Sequence, residues 1–439
     1  SILVHAARNK ASDIHFEPRE KSVRVRERVD GLLMESFEFP KLVQGAVTSR
    51  VKIMARMDIA EKNIPQDGRI KVKVEGKDLD LRVATLPTNF GEKITIRVLD
   101  TGATPLQMQD MGPTKKDYMR IKSIVERPQG IVMITGPTGS GKTTTLYAMV
   151  NHIKTDAINI ITLEDPIEYE LKGINQVGIN EKTGLTFPFA LRAVLRQDPD
   201  VIMVGEMRDM ETAKIAIEAS LTGHLVLTTL HTNTAVAAVT RLKNLGISPY
   251  LIASSLNGVI AQRLVRRICD KCKQPYNPTM EELFKLKVRG KSLSDLKFYR
   301  GKGCVACNHT GYKGRIGVFE VLIVDSQVRE LIANDGTEEA ILKASLDNGM
   351  RQMSEDGIDK INRGITSVDE LFRVIYLSDE EAILVCQNCG ESIHQDVPNC
   401  PHCGFLLINR CPDCGGSREP KWSFCPFCGR GFQALAMPL

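Results

Sequence analysis

Gly136-Pro137-Thr138-Gly139-Ser140-Gly141-Lys142-Thr143-Thr144 is the densest run of chemistry-bearing residues in the chain. It follows the apolar run IVMIT and leads into LYAMVNHI. The spacing matches G-x-x-x-x-G-K-[ST], a turn whose backbone N–H groups close around phosphate oxygens at the positive end of a helix. In such a turn Lys142 reaches the β- and γ-phosphates and Thr143 holds Mg²⁺. A glycine-rich turn without a ligand is the competing reading, but the strand and the helix that the phosphate reading needs are both in place.

Phosphoryl transfer also needs carboxylates near the ends of neighbouring strands. ITLEDPIEY (161–169) presents Glu164, Asp165 and Glu168. VIMVGE (201–206) ends in Glu206, with Gly205 where an Asp usually stands. Glu206 is expected to bind Mg²⁺ through water, to orient the attacking water, or both, with Glu168 as the alternative base. Each acid has a plainer reading as a helix cap or surface ion pair. TGHLVLTTLHTN (222–233) brackets a strand with His224 and His231, and His231 is the stronger candidate for a γ-phosphate sensor.

The twelve cysteines fall into six C-x-x-C pairs: 269/272, 304/307, 386/389, 400/403, 411/414 and 425/428. Paired thiolates two residues apart suit tetrahedral zinc, whereas disulfides are rare in reducing compartments. Cys269, Cys272, Cys304 and Cys307 are expected to form one closed, structural site. Cys386, Cys389, Cys400 and Cys403 repeat the spacing of Cys411, Cys414, Cys425 and Cys428, C-x₂-C-x₁₀-C-x₂-C, which resembles a double zinc ribbon. The net charge of +5 is offset by three four-thiolate sites of about −2 each, so it argues little for nucleic acid. The ribbon segment itself carries no basic surplus. Arg263, Arg266 and Arg267 are spaced to share a helix face and offer a contact for an acidic partner or a neighbouring subunit.

The chain's 439 residues exceed one hydrophobic core and suggest about three domains. Residues 1–100 alternate with period two around one helical stretch at 42–58, a small α+β domain. Residues 101–114 read as a linker. Residues 115–262 alternate β-branched runs with helical stretches, an α/β fold on a parallel sheet. The first zinc module occupies 263–320, a helical subdomain 321–383, and the ribbons 384–439. SVDELFRVI opens with a Ser…Glu capping box. No apolar run reaches the ~18–20 residues of a membrane span. The start at Ser1 rather than Met is expected of a piece of a longer protein.

ASDIHFEP, QDGR, TLPTNFGEKITIRVLD, GPTGSGKTTTLY, EDPIEY, LRQDPDVIMVGEMRD, TGHLVLTTLHTN and AQRLVRRIC stand in the order found in the secretion ATPases of type II secretion and type IV pili, which the chain resembles over roughly 1–380. The resemblance implies a RecA-like P-loop domain and a homo-hexamer with nucleotide between it and the small N-terminal domain. It implies cofactors ATP, Mg²⁺ and Zn²⁺, an inner-membrane platform protein as partner, and a place at the cytoplasmic face of the inner membrane. It carries arginines toward the γ-phosphate at Arg82 and Arg97, with Arg192 and Arg196 as secondary candidates. Strand alternation agrees, since Leu79, Leu81 and Val83 leave Arg82 on the other face. A salt bridge of Arg82 with Asp80 is the competing reading. The tetracysteine insertion is a feature of the family's assembly members and tilts the reading toward pilus extension or secretion. Two other classes compete: a RecA-like nucleic-acid motor, and a binding module that uses nucleotide only as a switch.

Overall fold

The computed structural model describes residues 2–100, 107–279, 282, 286, 296–375 and, in the tail, 384–385, 392–393, 402–404, 424 and 428–429. The chain divides into two compact units, 1–272 with 301–356 and 273–300 with 357–439. Alternation at the start of the first unit produces β1 (Asp13–Pro18), β2 (Ser22–Val29), β3 (Leu32–Pro40), β4 (Gln66–Val74), β5 (Lys77–Thr88) and β6 (Gly91–Asp100). They form one antiparallel sheet in the order β3-β2-β1-β6-β5-β4. In β2, Val23 and Val25 are buried while the alternating Arg24 and Arg26 are only partly so. Helices α1 (Ile2–Arg8) and α2 (Gln44–Met54) add Ala6, Val47 and Val51 to the same core. The helix expected over 42–58 is therefore shorter. Residues 41–43 form a 3-10 turn, and Arg56, at φ 58°, ends the run.

A second, seven-stranded sheet in the same unit runs β15-β12-β7-β11-β10-β8-β9. Its members are β7 (Gly130–Thr135), β8 (Ile160–Glu164), β9 (Asn175–Gly178), β10 (Val201–Val204), β11 (Leu225–Leu230), β12 (Leu256–Ile268) and β15 (Tyr312–Ile323). All pairings are parallel except that of β12 with β15. β7, β8, β10 and β11 are buried along their whole length, as strands with both faces covered must be. Helix α3 (Lys115–Val125) precedes them, and α4 (Lys142–Ile153), α5 (Phe187–Val194), α6 (Met210–Leu221), α7 (Ala237–Asn244) and α8 (Pro249–Ser255) lie between them in the chain. The fold is α/β on a parallel sheet, as expected. The end of the expected linker is not free chain, because Met108 and Met111 sit in the core of this sheet.

Two short strands, β13 (Lys273–Pro275) and β14 (Tyr299–Gly301), precede β15, and α9 (Ser326–Ala333), α10 (Glu338–Asp347), α11 (Met353–Asn362) and α12 (Val368–Val374) follow it. Ser367 caps α12 by accepting the Glu370 N–H at 3.3 Å. Among the described residues no helix is long and apolar enough to cross a membrane. Cys386, Cys389, Cys400, Cys411, Cys414 and Cys425 lie outside the described residues, while Cys403 and Cys428 are exposed.

Candidate active site

Parallel pairing puts the carboxyl ends of β7, β8, β10 and β11 along one edge, where ligands of such sheets bind. Residues 136–141 leave that edge and turn into α4. Gly136 has φ 152°, and a Cβ there would lie 2.5 Å from the Gln262 carbonyl oxygen, so the turn closes only with glycine. Lys142 Nζ donates to the carbonyls of Gly136 at 2.7 Å and Pro137 at 3.1 Å. Burial lowers its pKa to about 8; Glu206 opposes the shift and Arg263 adds to it. The Ser140 hydroxyl is buried with no hydrogen-bond partner among the described residues. A phosphate cradled by this turn suits that orphan, and with Lys142 and the Thr143 hydroxyl at the helix start the donor set fits ATP with Mg²⁺.

The acids separate by environment. Glu164 is buried and accepts from Tyr147 Oη, from Thr162 Oγ1 at 2.6 Å and from Gln176 Nε2 at 3.0 Å. Its carboxylate is spoken for inside the fold, against the expectation of a nucleotide contact. Asp165 is exposed. Glu206 stands just past β10, its carboxylate 2.8 Å from Arg208 Nη2 and 3.0 Å from His231 Nε2. At Gly205, where an Asp usually stands, a Cβ would lie 3.1 Å from the Leu163 carbonyl oxygen, a tight contact. His231 follows β11 at the phosphate edge. His224 precedes β11, so it lies at the opposite edge, where it bonds the Ala219 carbonyl at 2.8 Å. A sensor role for His224 is thereby excluded by strand direction.

Four arginines of the first sheet fall in one cross-strand row. Arg69, Arg82, Arg97, Asp13 and Arg28 are successive register partners on β4, β5, β6, β1 and β2. Like charges in adjacent register repel, so the row draws anions. Arg69 takes the direct ion pair with Asp80, on which Arg82 acts only as a further nearby charge, and Arg82 turns its hydrogen bonding elsewhere. Arg82 Nη2 donates to the Ile167 carbonyl at 2.6 Å, and its Nη1 lies 3.7 Å from Glu168 Oε2. Arg97 Nε donates to Asp13 Oδ1 at 3.2 Å. Within one chain, therefore, the first sheet reaches the acidic loop through Arg82, while Arg97 is held at home. Arg192 pairs with Glu211 at 2.7 Å, and Arg196 donates to the Arg192 carbonyl at 2.9 Å.

The family model described as type II/IV secretion system protein matches residues 1–373. The chain belongs to that family. A second model, described as double zinc ribbon, matches 386–429. The "Type II secretion system ATPase E" of Vibrio cholerae serotype O1 is 48% identical over 376 residues, 85% of this chain and 74% of that one. The "Type IV pilus assembly ATPase PilB" of Thermus thermophilus is 46% identical over 370 residues, 84% of this chain and 42% of that one. The crystal structure of the pilus retraction motor PilT with bound ADP matches 82% of this chain and 95% of its own at 28% identity, with a TM-score of 0.53. None of these names describes a nucleic-acid motor, and that alternative is without support.

In this secretion-family chain the first cysteine quartet meets the test of a zinc site. The four sulfurs lie within 4.8 Å of one another, with Cys269–Cys304 and Cys272–Cys307 at 3.9 Å and Cys304–Cys307 at 3.7 Å. Four sulfurs at about 2.3 Å from a shared zinc stand about 3.8 Å apart in a tetrahedron. The N–H groups of Cys304 and Gly311 donate to Cys307 Sγ at 3.2 and 3.3 Å, a second shell suited to thiolate. The module touches the first sheet's domain through Asn308 to Asn9 at 3.2 Å and Gly314 to Asp30 at 2.8 Å. Structural zinc contributes on the order of 10 kcal/mol to the fold of its module. Cys307→Ser is expected to lose one zinc equivalent by elemental analysis and to lower the melting temperature; retention of both would refute the site.

Sequence reasoning misplaced the arginines at 263–267. They lie on strand β12, not on a helix, so Arg266 faces away from Arg263 and Arg267. Arg263 is buried, donates to the Asn233 carbonyl at 3.3 Å and to its Oδ1 at 3.0 Å, and has its pKa lowered by burial. Arg266 stacks over the Tyr312 ring at 4.0 Å. Only Arg267 is exposed, so no basic stripe faces a partner. The motifs do not single out Asp13, Tyr147 or Arg208. Tyr147 sits inside the P-loop motif's own helix, and Asp13 inside ASDIHFEP, yet their partners are distant in sequence.

Proposed function

We propose that this chain is the subunit of a hexameric ATPase that hydrolyses ATP to drive type II secretion or type IV pilus assembly. It works at the cytoplasmic face of the inner membrane and pulls on a platform protein there. The observation that carries this reading is the contact of Arg82 with the acidic loop at 167–168 beside a complete P-loop. A cation supplied from the preceding domain is what phosphoryl transfer requires to stabilise charge that develops on the γ-phosphate. Thr143 and Glu206 would hold the Mg²⁺ that accompanies ATP, directly or through water. Lys142 leaves the loop carbonyls to meet the phosphates. Glu206 and Glu168 orient the attacking water, and His231, on Glu206, registers the terminal phosphate. Arg97 exchanges Asp13 for that phosphate when the first domain closes. Hydrolysis releases the closure, and a ring converts successive closures into work.

Arg82→Ala and Arg97→Ala are each expected to lower kcat by at least about tenfold while leaving nucleotide binding nearly intact, as for groups that act on transition-state charge. The test is multiple-turnover phosphate release together with the mass of the particle by light scattering, with and without the cytoplasmic part of a platform protein. Single-turnover behaviour would reduce the chain to a nucleotide switch. A persistent monomer under nucleotide would remove the ring.

A further inference from the structure

We propose that Tyr147 is a positioning residue for Glu168. It ties the phosphate-binding helix α4 to the acidic loop by a hydroxyl that donates to Glu164 and accepts the Glu168 N–H. The inference rests on the reading of Glu168 as a group that orients the attacking water. Tyr147 is fully buried on α4, five residues after Lys142. Its hydroxyl bonds Glu164 Oε2, and the Glu168 amide donates to it at 3.3 Å. The Tyr169 ring meets its ring edge-on, with centroids 4.6 Å apart. Glu168 is thus held at its backbone from the α4 side and at its carboxylate by Arg82, which also holds the preceding carbonyl.

The direction of each bond is settled by chemistry. The tyrosine hydroxyl donates to Glu164 Oε2, while Glu164 Oε1 accepts from Thr162 and Gln176. That leaves a lone pair of the phenol for the Glu168 N–H. Burial, and then Glu164 itself, push the phenol well above its ordinary range, so it keeps its proton throughout the pH range of activity. Movement of α4 on loading the P-loop reaches the acidic loop through the Tyr147–Tyr169 ring contact and, at the Glu168 amide, through the hydroxyl oxygen. Phenylalanine keeps the ring packing and deletes only that atom.

The experiment measures kcat, KM and the dissociation constant of a non-hydrolysable ATP analogue for the full chain and for Tyr147→Phe, Glu168→Gln and the double variant. Tyr147→Phe should lower kcat about tenfold through misplacement of Glu168, with analogue binding unchanged. The double variant should be no slower than Glu168→Gln alone, since an acid already disabled gains nothing from being well placed. Amide exchange over 165–170 should quicken in Tyr147→Phe. Wild-type turnover in Tyr147→Phe, or losses that multiply in the double variant, would overturn the inference. Wild-type turnover in Glu168→Gln would instead remove the reading of Glu168, and this inference with it. Should Tyr147→Phe not fold, Glu164→Gln takes its place, since it weakens the acceptor that orients the hydroxyl; the same non-additive pattern is expected, and multiplicative losses would again refute the assignment.

Discussion

Lys142→Ala is expected to bring phosphate release down by at least about 10²–10³-fold, the scale of removing one preorganised charge stabiliser from a transition state. The geometry explains why nothing replaces it. Lys142 is the first residue of α4, and its ammonium already lies on the Gly136 and Pro137 carbonyls at the lip of the turn. The nearest buried cation, Arg263, is committed to Asn233 and to the Gln262 carbonyl. The arginines of the first sheet approach from the acidic loop instead. Phosphate release, measured with analogue affinity, checks the claim; turnover within about tenfold of wild type would mean that the lysine is not the phosphate ligand.

The same residue sets a pH dependence. In the nucleotide-free protein the ammonium loses its proton near pH 8 rather than at 10.5. Bound phosphate stabilises the charged form and raises that pKa. Nucleotide affinity is therefore full below about pH 8 and falls above it, by up to about tenfold per pH unit, because binding must then take up a proton. For folding the sign is reversed. The unfolded lysine keeps its proton to about 10.5 and the folded one does not, so this group favours the nucleotide-free fold increasingly as pH rises between the two values. The affinity profile should flatten in Lys142→Ala. A wild-type profile flat from pH 7 to 9.5 would mean that the ammonium is charged before nucleotide arrives.

What was readable in the chain beforehand follows from the range of each determinant. The phosphate turn is local: Gly136, Gly141 and Lys142 impose it within seven residues of sequence. The first sheet is nearly as local, because one face is buried and alternation reports it. Strand β12 defeated the same reasoning. It lies between β7 and β15 with almost every residue buried, so it shows no alternation, and its arginines at 263, 266 and 267 mimic helical spacing. The partners of Arg82 and Arg97 are 86 and 84 residues away; domain packing brings Glu168 to Arg82, and the pairing of β1 with β6 brings Asp13 to Arg97. Glu164 looked as available as Glu168 because saturation by Tyr147, Thr162 and Gln176 is a property of the core, not of the motif. The histidines were separable in principle: in a parallel sheet the residue after β11 must share the edge with the turn after β7.

Glu206→Gln is expected to trap bound ATP, with turnover reduced about 10²–10⁴-fold, the range that a positioned general base contributes. The carboxylate sits between Arg208 and His231, near enough to Lys142 to oppose its loss of proton. The amide keeps the size and one acceptor oxygen, so binding should survive, and the turn should load as before. It cannot take a proton, and it cannot pair with Arg208 as an anion does. His231→Ala then separates two duties. Were His231 only a prop for Glu206, its removal would add nothing to Glu206→Gln; were it a sensor of the terminal phosphate, the double variant would also lose its preference for ATP over ADP. Filter retention of ATP over many turnover times, with the ATP:ADP ratio of the trapped nucleotide, reads both. A Glu206→Gln protein that hydrolyses at the wild-type rate would transfer the water-orienting role to Glu168, leaving Glu206 as an ion-pair partner at the end of β10.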